Sequence, residues 1–181
     1  FALISRLDPQ KGVDLLPAAL HAISAHPWQL VILGNGVPEL ESEMRQLETN
    51  FPGRVKAEIR YDFNLSRRIY GGADILLIPS RYEPCGLTQM IAMLYGCVPV
   101  ARAVGGFKDT IGDDGTQKTQ TGFLFDRASV ADLAAALWRS LLVIKQKQNW
   151  LSIQKNGMVQ DFSWERSAKQ YISIYNQIIR E

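Results

Sequence analysis

The chain has 181 residues, 46% of them hydrophobic and 21% charged, with 20 Lys plus Arg against 18 Asp plus Glu. That length fits one domain able to bury roughly 70% of its unfolded surface, and the charge balance leaves no basic stripe for nucleic acid or an anionic membrane. No apolar run reaches membrane-span length, no signal-peptide pattern opens the chain, and Cys85 and Cys97 suggest no disulfide framework, so a reducing compartment is expected.

Phe1 stands inside a strand-like run, 1–5, which reads as the start of a piece taken from a larger protein. Behind that run come Ser5-Arg6-Leu7-Asp8-Pro9-Gln10-Lys11-Gly12 and a helix candidate over 13–25 with Leu16, Leu20 and Ile23 near one face. A second strand, 29–33, runs into Gly34-Asn35-Gly36. The next helix, 38–51, opens on Pro38 with Glu39 and Glu41 in its first turn, which suits the positive end of a helix dipole. Strand three, 55–61, closes on Tyr61-Asp62 and precedes a helix over 64–72. The apolar run 74–79 is the fourth strand; a polar turn through Glu83 and Gly86 ends it, and a helix over 87–95 follows at once. Strand 98–102 leads through Gly105-Gly106 to a short helix over 107–111, and the polar segment 112–121 is expected to be a mobile surface loop. Strand 122–125 then precedes a long helix, N-capped by Ser129 and running through Ala135, Leu141 and Ile144, and a tail helix extends from Ser163-Trp164 through Ile179. Short apolar strands alternating with helices predict an α/β, Rossmann-like, three-layer domain with a parallel sheet of about six strands.

In such sheets ligands bind beyond the carboxyl ends of the strands. Five strand exits carry ligand-competent residues: Arg6 and Lys11, Gly34-Asn35-Gly36, Tyr61, the Glu83–Gly86 turn and Gly105-Gly106. Arg6 and Lys11 are either two solvated charges or a clamp on a diphosphate, facing an anion site where a helix opens near Gly86. Gly34-Asn35-Gly36 fails as a dinucleotide fingerprint because Glu39 holds the third glycine position, so a tight turn near a ligand is the better account. Glu83 either caps or pairs locally, or accepts hydrogen bonds from neutral hydroxyls. Cys85 lacks a histidine motif beside it and is not read as a nucleophile. Tyr61 either stacks on a base or borders the core, and Gly105-Gly106 either admit a ligand or form a turn. No Asp-x-Asp pair suggests a divalent-metal diphosphate site, so no metal or other cofactor is expected.

These segments occur in a recognisable order: Ser5-Arg6-Leu7 with Gln10-Lys11-Gly12, Gly71-Gly72-Ala73-Asp74, Pro79 through Gln89, Gly105-Gly106 with Asp109-Thr110, Thr121-Gly122-Phe123, and Asp161-Phe162-Ser163-Trp164. Along essentially its whole length the chain resembles the C-terminal, nucleotide-sugar-binding half of bacterial glycogen synthases and of plant or cyanobacterial starch synthases, which are glycosyltransferases of the two-Rossmann-domain (GT-B) type. The resemblance implies retaining, metal-free transfer of glucose from ADP-glucose to the non-reducing end of an α-1,4-glucan, in a bacterial cytoplasm or a plastid stroma. Arg6 and Lys11 would bind the diphosphate and stabilise it as leaving group. Glu83 and Cys85 would line the glucose pocket, Gly86, Leu87 and Thr88 would present donors, Gly34, Gly105 and Gly106 would border the donor, and Tyr61 would stack on adenine. It further implies a missing N-terminal Rossmann domain, toward which the tail, 163–181, would pack, so that this piece would be inactive alone.

One departure concerns the second glutamate of the E-x7-E pattern, whose position is taken by Ile91. Two alternatives stay open: another sugar nucleotide such as UDP-glucose as donor, or a non-catalytic nucleotide-sugar-binding module.

Overall fold

The computed structural model describes residues 1–116 and 118–180; Gln117, within the expected mobile loop, and Glu181, at the end of the tail, lie outside the described residues. Six strands, β1 (Ala2–Ile4), β2 (Leu30–Leu33), β3 (Val55–Glu58), β4 (Ile75–Ile78), β5 (Val98–Arg102) and β6 (Phe123–Phe125), form one sheet in the order β3-β2-β1-β4-β5-β6. Every neighbouring pair is parallel. The order reverses between β1 and β4, the switch point at which loops leave in opposite directions and open a crevice.

Alternation along the strands supplies two cores. Ile75 and Leu77 point into one apolar cluster with Leu3, Ile32 and Val100, while Leu76 and Ile78 point into the other with Ala2, Leu33 and Ala101. Helices α1 (Leu16–Ala22), α2 (Pro38–Asn50), α6 (Val130–Ile144) and α7 (Lys147–Met158) bury residues in the first cluster; α3 (Phe63–Gly72), α4 (Thr88–Leu94) and α5 (Gly106–Thr110) do so in the second. Sheet strands buried on both faces read as continuous apolar runs, which is why they were legible.

Helix starts follow local chemistry. Asp62 caps α3 by accepting from the Leu65 amide, and Ser129 caps α6 by accepting from the Asp132 amide, as its position predicts. The expected helix over 13–25 divides into a 3-10 turn, Val13–Leu15, and the shorter α1; the left-handed Gly12 (φ 64°) precedes the turn, and Pro17 stands in the first turn of α1. β3 ends at Glu58 rather than at residue 61, where Arg60 turns back to pair with Glu58 and Asp62. Within 112–121 the ends are bonded to the body of the domain: Asp113 accepts from the Leu124 amide at 2.7 Å and from Arg139 at 3.0 Å, and the Gly112 amide donates to Thr121 Oγ1.

Helix α7 has no counterpart in the sequence reading. Only Trp150, Ile153 and Gly157 of it are buried, too sparse a stripe to stand out among polar neighbours. The last helix, α8 (Trp164–Arg180), exposes Tyr171, Ile172, Ile174, Tyr175, Ile178 and Ile179. Among the described residues no helix is long and apolar enough to cross a membrane.

Candidate functional site

The loops after β1 and β4 meet at the switch point because glycines let their backbones touch. A Cβ on Gly12 would stand 2.1 Å from the Pro79 carbonyl oxygen, so only glycine fits there, and its positive φ demands the same residue. Between the loops lies a cavity of about 190 Å³, lined by Ser5, Arg6, Lys11, Ser80, Glu83 and Thr88 over a floor of Leu3, Ile4, Leu77 and Ile78. A second cavity of about 230 Å³ shares Ile4, Ser5 and Arg6 as a common wall and continues past Gly34 and Asn35 to Tyr61, Asp62 and Phe63. Two small, adjoining chambers with Arg6 between them suit a ligand made of unlike parts.

Charge in the first chamber is already paired. Lys11 Nζ lies 2.5 Å from Glu83 Oε2, with both side chains largely shielded from solvent. Arg6 reaches Asp8 Oδ2 at 3.0 Å, while Asp8 Oδ1 accepts from the Lys11 amide at 3.1 Å. One carboxylate thus holds Arg6 and fixes the turn that carries Lys11. The Arg6 side chain remains 68% exposed, and donors beyond the one on Asp8 are left to meet a ligand.

The turn bearing Glu83 is held from beneath. Gly105 (φ 49°) and Gly106 press against it: a Cβ on Gly105 would stand 1.8 Å from the Glu83 carbonyl oxygen, and one on Gly106 2.3 Å from that of Cys85. Gln89, fully buried, donates to the Cys85 and Gly86 carbonyls and to Thr110 Oγ1. Gly86 (φ 72°) is itself required, since a Cβ there would meet the Phe107 ring at 2.5 Å. The helix expected to open near Gly86 begins at Thr88 instead, with Leu87 as its cap.

The structure therefore brings Arg6, Lys11, Glu83 and Thr88 together in one chamber, and Arg6, Gly34 and Tyr61 in the next. Tyr61 is 81% exposed, which removes the alternative that it borders the core. The side chains of Cys85 and Leu87 face solvent beside the site, and Gly86, Gly105 and Gly106 shape the Glu83 turn from below. Ile91, at the position of the missing glutamate, is partly exposed on α4 and lines neither chamber.

Several participants escape a sequence reading. Ser80 lines the first chamber with its Oγ buried and, among the described residues, without a hydrogen-bond partner. Arg81 and Asp14 form a bidentate pair at 2.6 and 2.7 Å, although 67 residues separate them. Arg81's hydrogen bond holds the Asp14 carboxyl below the usual carboxylate range. Nothing local in either segment announces such a pairing.

A larger cavity, about 520 Å³, opens at the amino ends of the strands between Phe1, Trp28, Ile75, Leu141 and Ile144. It is mainly apolar, and it lies away from the switch-point crevice where open α/β sheets bind ligands.

Comparison with known proteins agrees with this geometry. The sequence profile of the family described as "Glycosyl transferases group 1" matches residues 1–142. The chain is 42% identical over 179 residues to the glycogen synthase of Thermotoga maritima, covering 98% of this chain and 37% of that protein. It is 44% identical over 172 residues to granule-bound starch synthase 2 of Pisum sativum, covering 94% of this chain and 23% of that protein. The catalytic domain of starch synthase IV from Arabidopsis thaliana, solved with ADP and acarbose, superposes with a TM-score of 0.87 at 37% identity, over 99% of this chain and 38% of that one. The chain thus spans less than two-fifths of the length of these relatives. Its six-stranded parallel sheet matches one Rossmann-like half of the GT-B architecture. On the strength of that coverage and identity, the chain belongs to the group 1 glycosyltransferases.

Proposed function

We propose that this chain is the donor-binding half of a glucan synthase, which moves glucose from ADP-glucose to the non-reducing end of an α-1,4-glucan with retained anomeric configuration. The observation that carries the reading is the meeting of Lys11, Glu83 and Arg6 at the β1/β4 switch point, in a chain similar to glycogen and starch synthases. The starch synthase IV structure that it resembles holds ADP.

Each residue then has a physical task. Arg6 stands between the chambers, where its planar fork fits phosphate oxygens. Lys11 adds a compact charge, and the two cations neutralise the diphosphate as it departs, in place of a metal ion. Glu83 accepts hydrogen bonds from sugar hydroxyls; it repels phosphate, so its place is at the sugar end. Thr88 and the unpartnered Ser80 hydroxyl are available to the same ligand. The exposed Tyr61 ring offers a stacking face for adenine at the far chamber, beside the bare backbone of Gly34. Cys85, Gly86 and Leu87 border the sugar, and Gly105 and Gly106 keep their turn in place. The exposed apolar side of α8 packs toward the second Rossmann half, which completes the cleft and binds the acceptor.

Calorimetric titration of the chain with ADP and with UDP tests the donor reading. Saturable ADP binding that exceeds UDP binding supports it, and equal affinity leaves Tyr61 without its adenine role. Full-length protein lacking ADP-glucose-dependent chain extension would overturn the assignment.

A further inference from the structure

Two loops that leave the paired strands β1 and β4 meet at the site, and beyond the strand ends something must hold them in register. The loop after β1 contributes Gln10, Lys11 and, in the turn Val13–Leu15, Asp14; the loop after β4 contributes Arg81, Tyr82 and Glu83. Arg81 bridges them with its whole length. Its amide donates to the Gln10 carbonyl at 2.7 Å, and Nη1 donates to the Pro9 carbonyl at 2.8 Å. Its two terminal nitrogens take both oxygens of Asp14, and Gln10 Nε2 returns a bond to the Tyr82 carbonyl at 3.0 Å. Asp14 is a firm anchor, because its neighbours Val13 and Leu15 are buried in the core.

Neither Asp14 nor Arg81 lines a chamber, yet each is a near neighbour of a residue that does. Lys11 lies between Gln10 and Gly12 in the latched turn, and Glu83 follows directly after Tyr82. We propose that the Arg81–Asp14 latch is a positioning device, which sets the distance between Lys11 and Glu83 and thereby orders the cation for an incoming diphosphate. The ligand in that sentence rests on the donor-binding reading; the ordering of Lys11 does not, and it can be measured without a nucleotide.

Trace labelling of lysine amines with acetic anhydride, read by mass spectrometry, is the first test. In Arg81→Gln and in Asp14→Asn, Lys11 should label about five-fold faster than in the wild-type chain, the scale of loosening one contact of ordinary net strength. Lys56, paired with Glu48 beside β3, should label at its wild-type rate and reports on global integrity. Unchanged labelling of Lys11 in both variants overturns the proposal, and so does a parallel rise at Lys56. The second test is a double-mutant cycle on ADP affinity. Arg81→Gln should weaken ADP about ten-fold when Lys11 is present and less than about two-fold in the Lys11→Ala background. Equal losses in both backgrounds show that Arg81 does not act through Lys11. Absence of ADP binding by the wild-type chain strikes at the donor reading instead, and the labelling result then decides the latch.

Discussion

Lys11 Nζ and Glu83 Oε2, 72 residues apart, close to 2.5 Å across the mouth of the β1/β4 crevice. On the proposed donor reading, this pair carries its own counter-ion and would have to exchange it when an anion arrives. A diphosphate would then compete with Glu83 for Lys11, while a sugar hydroxyl would give the released carboxylate a new partner. Such a pair would favour a ligand that presents both groups over one that presents phosphate alone.

Substituting Glu83→Gln should separate these effects. With the carboxylate gone, Lys11 is a largely shielded cation lacking its partner, and a diphosphate restores the compensation. ADP affinity should rise by about three- to ten-fold, the scale of one hydrogen bond of ordinary net strength. Glucose transfer in the full-length protein should fall. Calorimetry with ADP measures the first effect, and weaker ADP binding by the variant would contradict the exchange.

Gly105→Ala should be strongly destabilising. The residue sits at φ 49°, and a Cβ would stand 1.8 Å from the Glu83 carbonyl oxygen, with the Pro84 oxygen 3.2 Å away. Left-handed strain and displacement of a packed turn together cost about 3 kcal/mol or more. A urea denaturation midpoint that does not move would show that the turn has room to spare.

Much of this architecture was legible because burial writes itself into the strands. The run Ile75-Leu76-Leu77-Ile78 is apolar on both faces, and it is a central strand with a core on either side. Lys11 and Glu83 were legible for another reason: an α/β sheet collects its strand exits at one edge, so residues after different strands come together without any sequence proximity. The same rule says nothing about how two exits are fastened to one another. The Arg81–Asp14 latch, the Gln89–Thr110 contact and the Gly105–Glu83 approach all join distant segments through tertiary geometry alone. Helix α7 stayed hidden because three buried residues on a polar helix carry too little periodic signal.

The two thiols should differ sharply in reactivity. Cys97 is fully buried, and desolvation pushes its thiol up to about 12, so the thiolate is scarce at any pH where the fold is tested. Cys85 is exposed on the Glu83 turn. A disulfide reagent should titrate one thiol rapidly in the native chain and the second only on unfolding. Two fast equivalents would place Cys97 at the surface.

At the start of α6, acid stability should track Asp132. Its carboxylate accepts from the Arg127 side chain, the Arg127 amide and Ser129 Oγ, which together lower it from 3.8 to about 2, the Arg127 side chain contributing most. A carboxyl whose folded value is depressed binds fewer protons in the folded than in the unfolded chain across that window. Its contribution is therefore complete above the unfolded value and is lost as pH falls toward the folded one. Asp132→Asn should lower the urea midpoint at neutral pH, and the gap to wild type should narrow between the limits of 3.8 and about 2. Because its partner Arg127 is largely exposed, added salt should shrink the gap as well. A difference that persists undiminished at the acid end would mean that shape at the cap, rather than the ionised carboxylate, holds this helix start.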